Sequence, residues 1–172
     1  MDQPMNLKVA YIGGVKSGKS MLAEEKALEL SFQAKPYYLA TNEICDDEEM
    51  KERVKVHKDR RKDRFITIEE PLRLYDTITR CDNTVLVECL TLWLSNMLHI
   101  NQSDEAIYAE MSRVLELDQS IVFVINEVGL GGIELNPLAR RFVDLSGKVA
   151  QMLGQSCDQL YFCVAGLSLR MK

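Results

Sequence analysis

The chain has 172 residues, of which 47% are apolar, and this composition is typical of one globular domain with a substantial core. The formal net charge of −5 argues against a general affinity for nucleic acid. No apolar stretch reaches the roughly 18 residues of a membrane span, and the N-terminus lacks a charged-then-apolar signal peptide. We therefore expect a single domain that covers residues 1–172 and acts in the cytoplasm.

Apolar runs of strand length alternate along the chain with segments of helical spacing. Runs rich in Val, Ile, Leu, Tyr or Phe predict buried strands at residues 8–12, 36–40, 84–89, 121–125 and 160–165. The segments between them predict helices at residues 21–30, 46–62, 71–79, 92–98, 104–115 and 138–153. This alternation predicts an α/β fold with a mostly parallel sheet and helices on both faces, in which ligands bind at the carboxyl ends of the strands.

The loop after the first predicted strand carries the most specific motif. Its sequence, Gly13-Gly14-Val15-Lys16-Ser17-Gly18-Lys19-Ser20, matches the phosphate-binding loop pattern G-x-x-x-x-G-K-[ST] at every fixed position. In this pattern the glycines let backbone N–H groups turn toward a phosphate, the lysine supplies positive charge, and the hydroxyl is a Mg²⁺ ligand. The N-terminus of the following helix adds attraction for the phosphates. The motif therefore predicts binding of a nucleoside triphosphate, without indicating which reaction follows.

Polar residues also follow the other predicted strands. Thr41-Asn42-Glu43 comes after the second strand, Glu88 lies at the end of the third, and Asn126-Glu127 follows the fourth. P-loop enzymes commonly place a carboxylate at the position of Glu88, near Mg²⁺ or its water shell, although the usual residue is aspartate. We expect Ser20 and Glu88 to form the metal site. A helix-capping or surface role for Glu88 is the alternative.

The segment of residues 46–64 begins with four acidic residues and ends with a strongly basic stretch. One histidine and four arginines in it recur at spacings of three and four, so that on a continuous helix they share one face: Arg53, His57, Arg60, Arg61 and Arg64. Neighbouring arginines disfavour the imidazolium form, which would leave His57 a neutral nitrogen able to attack phosphorus. Taken alone, the charge run is better explained as a solvated basic helix with an incidental histidine.

With these segments identified, the chain resembles, nearly end to end, the bifunctional adenosylcobinamide kinase/adenosylcobinamide-phosphate guanylyltransferase family of cobalamin biosynthesis. The resemblance rests on an ordered set of segments: Gly13-Gly14-x-x-Ser17-Gly18-Lys19-Ser20, Tyr38-Leu39-Ala40-Thr41, Asp46-Asp47-Glu48, His57-Lys58-Asp59, Leu86-Val87-Glu88-Cys89 and Asn126-Glu127-Val128-Gly129. Further matches are Leu138-Ala139-Arg140, Phe142, Asp144, Gly147 and Gln151. Many families share a phosphate loop, whereas this ordered set is specific.

The resemblance implies two reactions on one corrinoid substrate: phosphorylation of adenosylcobinamide, and transfer of GMP from GTP to that phosphate through a GMP-histidine intermediate at His57. It also implies a RecA-like P-loop fold, a homotrimer, and the use of Mg²⁺ with GTP and ATP. Lys19 and Glu88 would join His57 as catalytic residues. The nucleotide-contacting positions that the resemblance implies are Gly13, Gly14, Val15, Lys16, Ser17, Gly18, Lys19, Ser20, Thr41, Asn42, Glu43, Lys58, Asp59, Arg60, Arg61, Glu69 and Glu88.

The chain departs from the family pattern at several positions. Val56 replaces the first of two adjacent histidines, and Arg60 stands where a glycine is common. Ala150-Gln151 replaces an Asn-Gln pair, and the proline expected after the fourth-strand glycines is absent. The last two changes lie nearer the side where the resemblance implies that the corrinoid binds, so they bear on substrate preference and on the kinase step more than on GTP binding.

Two other functions stay open at this point, and a third lacks the motif that it requires. A monofunctional P-loop small-molecule kinase would form no covalent nucleotide intermediate. A GTPase switch would need an N-K-x-D guanine-binding motif, which the sequence lacks. A nucleic-acid-binding module built on residues 51–64 would show an affinity that falls steeply with salt.

Overall fold

In the computed structural model of the protein, the residues described are 6–31, 33–42, 62–132 and 135–172. The strands in this part of the chain are β1 (Lys8–Gly13), β2 (Tyr37–Ala40), β3 (Ile66–Glu69), β4 (Val85–Glu88), β5 (Ile121–Asn126), β6 (Gln159–Val164) and β7 (Leu167–Arg170). The helices are α1 (Lys19–Leu30), α2 (Leu74–Ile78), α3 (Leu90–His99), α4 (Asp104–Leu115) and α5 (Pro137–Ser156), and a short 3₁₀ turn spans Lys62–Arg64.

The described strands form one sheet in the order β3-β2-β4-β5-β1-β6-β7. Every neighbouring pair is parallel except β6 and β7, which form an antiparallel hairpin. The mostly parallel sheet predicted from the sequence is therefore confirmed. Because β1 lies between β5 and β6, the phosphate loop that follows it starts from the interior of the sheet and not from an edge.

Helices cover both faces of this sheet, as predicted. On one face α1 packs on β1, β4 and β5, with Ala23 and Ala27 in the same buried cluster as Val122. On the other face α3 packs on β5 and α5 packs on β1 and β6, with Trp93 and Phe123 fully buried in that cluster. Burial of a side chain the size of Phe123 contributes about 1.5–3 kcal/mol. The sheet is thus held between two apolar layers.

Local signals in the sequence set where the later helices begin. Ser103 and Asn136 are the N-caps of α4 and α5, and their side chains accept backbone N–H groups of the first turn. Pro137 occupies the start of α5, where a missing N–H costs nothing. Arg141 of α5 donates to Asp104 at the start of α4 at 2.7 and 2.9 Å, which fixes the two helices together. Among the described residues, no helix combines the length and apolar content that a bilayer crossing requires.

The sequence analysis missed two strands, β3 and β7, which are the outermost strands of the described sheet. Each has four residues and exposes most of them to solvent, so neither forms the apolar run that marks a buried strand. The strand predicted to reach residue 165 ends one residue earlier, because Ala165 and Gly166 adopt positive φ angles of 53° and 78° and turn the chain into β7. The helix predicted at residues 46–62 lies outside the described residues, except for its last residue.

The strand register brings the predicted site residues to one edge of the sheet. Gly13 at the end of β1 lies opposite Asn126 at the end of β5. Ala40 at the end of β2 lies opposite Glu88 on one side and Glu69 on the other. The phosphate loop, Glu88 and the residues that follow β2 therefore share the carboxyl edge of the sheet, where ligands bind in this class of fold.

Candidate active site

The phosphate loop joins the central strand β1 to the N-terminus of α1. Lys16 and Gly18 have positive φ angles of 57° and 92°, and the Ser17 N–H donates to the Gly14 carbonyl at 3.3 Å, so the chain turns back on itself. In the described part of the chain, no side chain caps the start of α1, whose N-cap is Gly18. The N–H groups of the first helical turn are therefore left for an anion, and the positive end of the helix dipole favours one.

The turn between β6 and β7 supports this loop from behind. The Gly166 N–H donates to the Ser17 carbonyl at 2.9 Å, and a Cβ at Gly18 would lie 2.9 Å from the Gly166 Cα. A Cβ at Gly13 would collide with the Cys163 carbonyl oxygen. Gly13 and Gly18 are thus required because the end of β6 and the turn after it approach the loop closely, apart from any role of these glycines in phosphate binding.

Replacing Gly18 with alanine is expected to lower the free energy of unfolding by about 2 kcal/mol. The left-handed conformation costs a non-glycine residue about 1–2 kcal/mol, and the new Cβ would meet backbone, which cannot move aside as a side chain can. Gly14→Ala in the same loop is the matched control, since a Cβ there meets no described atom within 4 Å. We expect the control to change stability by under about 0.5 kcal/mol. Denaturant unfolding of the nucleotide-free proteins measures both, and equal stability of the two variants would contradict this packing.

Lys19 begins α1, and its side chain folds back over the loop. It is only 6% exposed, and its Nζ donates to the Gly14 carbonyl at 2.8 Å. Burial lowers the pKa of the Lys19 amine, although the nearby Glu88 carboxylate acts against this shift. A desolvated ammonium group gains more from an anionic ligand than an exposed one does, because the local dielectric constant is lower. Lys19 is therefore suited to bind a phosphate group.

Ser20 and Glu88 meet beside the loop. The Ser20 hydroxyl donates to Oε1 of Glu88 at 2.7 Å. Glu88 is the last residue of β4, one strand removed from β1 in the sheet, and it does not cap α3, whose N-cap is Cys89. A hydroxyl and a carboxylate oxygen are hard donors of the kind that Mg²⁺ takes, usually together with waters and substrate phosphates. The donor set thus fits Mg²⁺ next to the phosphate loop.

The end of β2 is bonded to the end of β4 through Thr41. Its N–H donates to the Glu88 carbonyl at 2.9 Å, and its hydroxyl donates to the Cys89 carbonyl at 2.7 Å. The same hydroxyl accepts the Cys89 N–H at 2.8 Å, and Thr41 is fully buried. Asn42 follows, partly exposed, while Glu69 lies exposed at the end of β3. The side chain of Thr41 therefore joins the end of β2 to the residue that follows β4 through two hydrogen bonds.

One residue of this region was not predicted from the sequence. Asn96 lies on α3, and its side-chain amide donates to the Thr41 carbonyl at 2.6 Å and to the Pro71 carbonyl at 3.1 Å. The only signal for it in the sequence is a single amide within an apolar helical stretch.

The Asn126-Glu127-Val128-Gly129 segment forms its own turn, since Glu127 Oε1 accepts the N–H groups of Gly129 and Leu130 at 2.5 and 3.1 Å.

The predicted nucleophile and its neighbours lie outside the described residues, so their roles stay predictions. They are Glu43, His57, Lys58, Asp59, Arg60 and Arg61. The described chain resumes at Lys62–Arg64, where Arg64 lies 3.8 Å from the carboxylate of Glu24, a buried residue of α1. Glu24 is about one helical turn beyond Ser20. The chain that follows the predicted nucleophile therefore returns to the helix that starts at the phosphate loop.

Comparison of the sequence with known families and proteins gives matches along nearly the whole chain. A sequence model of the family described as cobinamide kinase / cobinamide phosphate guanyltransferase matches residues 9–171. The chain is 38% identical over 168 residues to the bifunctional adenosylcobalamin biosynthesis protein CobP of Pseudomonas aeruginosa, covering 94% of this chain and 95% of that protein. It is 33% identical over 186 residues to the bifunctional adenosylcobalamin biosynthesis protein CobU of Salmonella typhimurium, covering 96% of this chain and 100% of that protein.

Comparison with solved structures gives matches at low sequence identity. The chain is similar to the flagellar accessory protein FlaH from Methanocaldococcus jannaschii with a TM-score of 0.53 and 14% identity, covering 98% of this chain and 79% of FlaH. It is similar to a prototypical ATPase from the type III secretion system of pathogenic bacteria with a TM-score of 0.52 and 12% identity, covering 95% of this chain and 56% of that ATPase. Likeness at this identity shows the fold alone, and it confirms the predicted P-loop NTPase fold.

Proposed function

Because this chain belongs to the cobinamide kinase / cobinamide phosphate guanyltransferase family, we propose that it phosphorylates adenosylcobinamide and then transfers GMP from GTP to the phosphate. The product would be adenosylcobinamide-GDP. The observation that carries this proposal is the cluster at the carboxyl edge of the sheet, where buried Lys19 and the Ser20–Glu88 pair meet in a chain matched to the family over residues 9–171.

The phosphate loop would serve both reactions by holding the triphosphate. Lys19 and the free N–H groups at the start of α1 neutralise phosphate oxygens, and Ser20 and Glu88 would hold Mg²⁺ beside them. Bound Mg²⁺ supplies positive charge that offsets the negative charge of the phosphates. In the kinase step, the hydroxyl of the aminopropanol group forms a bond to the γ-phosphorus of ATP or GTP while the bond to the nucleoside diphosphate breaks. The hydroxyl proton is released.

The guanylyl transfer would proceed in two displacements through His57. The imidazole nitrogen forms a bond to the α-phosphorus of GTP as the bond to the bridging oxygen breaks, and pyrophosphate leaves. A phosphate oxygen of adenosylcobinamide phosphate then attacks the same phosphorus and releases the histidine. Lys58, Arg60 and Arg61 lie within four residues of His57 in the sequence, and their positive charge would stabilise the charge that develops on the α-phosphate. The return of the chain to α1 at Arg64 supports a location of this segment near the triphosphate.

We also propose that the enzyme acts in the cytoplasm as a homotrimer, with GTP, ATP and a corrinoid as its ligands and no nucleic-acid partner. The family resemblance supports the trimer, and the net charge of −5 supports the exclusion of nucleic acid. Light scattering coupled to gel filtration tests the trimer directly. A monomeric mass would refute that part of the proposal and leave the two reactions untouched.

The experiment that tests the proposed function is covalent labelling. The protein is incubated with Mg²⁺ and GTP that carries a radioactive α-phosphate, then denatured, and we expect label that is labile in acid and stable in base, as a phosphoramidate is. GTP labelled at the γ-phosphate is the control and should leave no label. A separate assay follows conversion of adenosylcobinamide to its phosphate with ATP. A folded protein that phosphorylates the corrinoid but takes no α-label would be the monofunctional kinase.

A further inference from the structure

Hydrogen bonds and one peptide linkage connect α3 to the phosphate loop at the carboxyl edge of the sheet. Asn96 donates to the Thr41 carbonyl at 2.6 Å, and the Thr41 hydroxyl bonds both the N–H and the carbonyl of Cys89, at 2.8 and 2.7 Å. Cys89 directly follows Glu88, whose Oε1 accepts the Ser20 hydroxyl at 2.7 Å. These bonds connect α3, the residue that follows β2, the junction of β4 and α3, and the first turn of α1.

We propose that Thr41 and Asn96 are positioning residues that hold the Glu88 carboxylate in place for the metal-bound triphosphate. The inference rests on the proposed role of Ser20 and Glu88 as the residues that hold Mg²⁺. Neither Thr41 nor Asn96 needs to touch the nucleotide or the ion for this purpose. Thr41 acts on the backbone next to Glu88, and Asn96 acts on the backbone of Thr41.

The burial of Thr41 decides between a direct and an indirect role for its side chain. Thr41 has no exposed surface, and its hydroxyl already donates one hydrogen bond and accepts another within the protein. A hydroxyl has one proton to donate, so it could donate to a phosphate oxygen only if its bond to the Cys89 carbonyl were broken. The Cys89 carbonyl also accepts the Trp93 N–H at 3.1 Å, in the first turn of α3. The hydroxyl of Thr41 therefore fixes the point at which β4 becomes α3, directly after Glu88.

Asn96 extends the same control to the loops beside the site. Its amide joins the carbonyl of Thr41, where the chain leaves β2, to the carbonyl of Pro71, where the chain leaves β3. Both carbonyls lie just beyond the ends of their strands, on the chain that leads away from the sheet. Residues that orient metal-holding side chains in this way typically change metal affinity by about 10- to 100-fold when they are lost.

The test measures how much Mg²⁺ strengthens nucleotide binding, which is a property separate from turnover. The dissociation constant of a non-hydrolysable imido analogue of GTP is measured with Mg²⁺ and with EDTA. The readout is the constant in EDTA divided by the constant in Mg²⁺. Thr41→Val keeps the shape and removes the hydroxyl, and we expect it to lower this ratio by about tenfold. The dissociation constant of Asn96→Ala in EDTA should stay within about twofold of the wild type, because Asn96 is not among the nucleotide-contacting positions that the resemblance implies and it acts on the backbone of Thr41.

Thr41→Ser is the matched control, since it retains the hydroxyl and should keep the ratio near that of the wild type. Asn96→Ala should lower the ratio in the same direction, and it decides the matter if Thr41→Val does not fold. The inference is overturned if the ratio is unchanged in the folded variants, if binding in EDTA weakens as much as binding in Mg²⁺, or if the wild type binds equally well without Mg²⁺. The same measurements with the ATP analogue make the result independent of nucleotide preference. Absence of the α-label would count against the proposed guanylyl transfer and would leave this ratio unaffected.

Discussion

Replacing His57 with asparagine is expected to abolish guanylyl transfer while phosphorylation of adenosylcobinamide continues near its normal rate. Asparagine is similar in size and polarity, but its amide nitrogen is not a nucleophile and cannot form the bond to the α-phosphorus. Loss of a covalent nucleophile lowers turnover by roughly 10⁴-fold or more. The kinase step uses the substrate hydroxyl as its nucleophile, so it has no such dependence on the imidazole.

The measurement separates the two products, adenosylcobinamide phosphate and adenosylcobinamide-GDP, by chromatography, and it records the α-label on the protein. His99→Asn is the matched control because His99 is the other histidine of the chain, and it lies exposed in the last turn of α3. The control should take the label and catalyse both reactions. A folded His57→Asn protein that has lost both reactions, or that still takes the label, would refute the assignment of the histidine.

The central part of the fold could be predicted because its physical cause leaves a local mark in the sequence. A parallel strand between two helical layers is buried on both sides, and β5 accordingly reads Ile121-Val122-Phe123-Val124-Ile125. The outer strands β3 and β7 are held by one neighbour each and face solvent, so their residues carry no such pattern. These strands form because they pair with β2 and β6, and a prediction from the local sequence pattern does not include such pairing.

The same distinction applies to the candidate site, where some residues could be predicted from a local motif and others depend on contacts distant in sequence. The phosphate loop was predicted because its chemistry is contained in consecutive residues, and the family assignment based on ordered motifs is confirmed by the match over residues 9–171. Asn96 and Gly166 were missed because their contacts are with Thr41, which is 55 residues from Asn96, and with Ser17 at the other end of the chain. The role of His57 rests on the resemblance and stays a prediction, since its segment lies outside the described residues.

Replacing Lys19 with alanine is expected to slow both reactions by about 10²- to 10³-fold, because both require the same positioned triphosphate and its charge stabilisation. Lys26→Ala is the charge-matched control, since Lys26 also lies on α1 but pairs with Glu29 at 2.6 Å in a partly exposed i,i+3 contact. Such surface pairs contribute little, and the control should keep both activities. Initial rates of the kinase and guanylyl transfer assays check this expectation. An unchanged kinase rate in Lys19→Ala would mean that the two reactions do not share the phosphate loop.

The same substitution should have a different effect on the stability of the nucleotide-free protein. Burial lowers the pKa of Lys19 below its ordinary value of 10.5, so the folded protein binds fewer protons at this group than the unfolded chain does. The contribution of Lys19 to the free energy of unfolding therefore increases as the pH rises from the folded-state pKa toward 10.5. The difference in unfolding free energy between wild type and Lys19→Ala, followed against pH, isolates the contribution from that of other alkaline groups. We expect this difference to shift in favour of the wild type as pH rises, and a flat difference would contradict the burial of a charged amine.

Lys19 is expected to make the nucleotide-free fold less stable and to accelerate both reactions. Binding of the triphosphate would account for both effects. The Lys19 amine is buried, with the Gly14 carbonyl as its hydrogen-bond acceptor at 2.8 Å. A triphosphate would add negative charge beside that of Glu88, so binding should raise the pKa of Lys19 and offset the cost of its burial. The nucleotide should then increase the thermal stability of the wild type by more than that of Lys19→Ala. Equal stabilisation of the two proteins by the nucleotide would mean that the amine does not contact the phosphates.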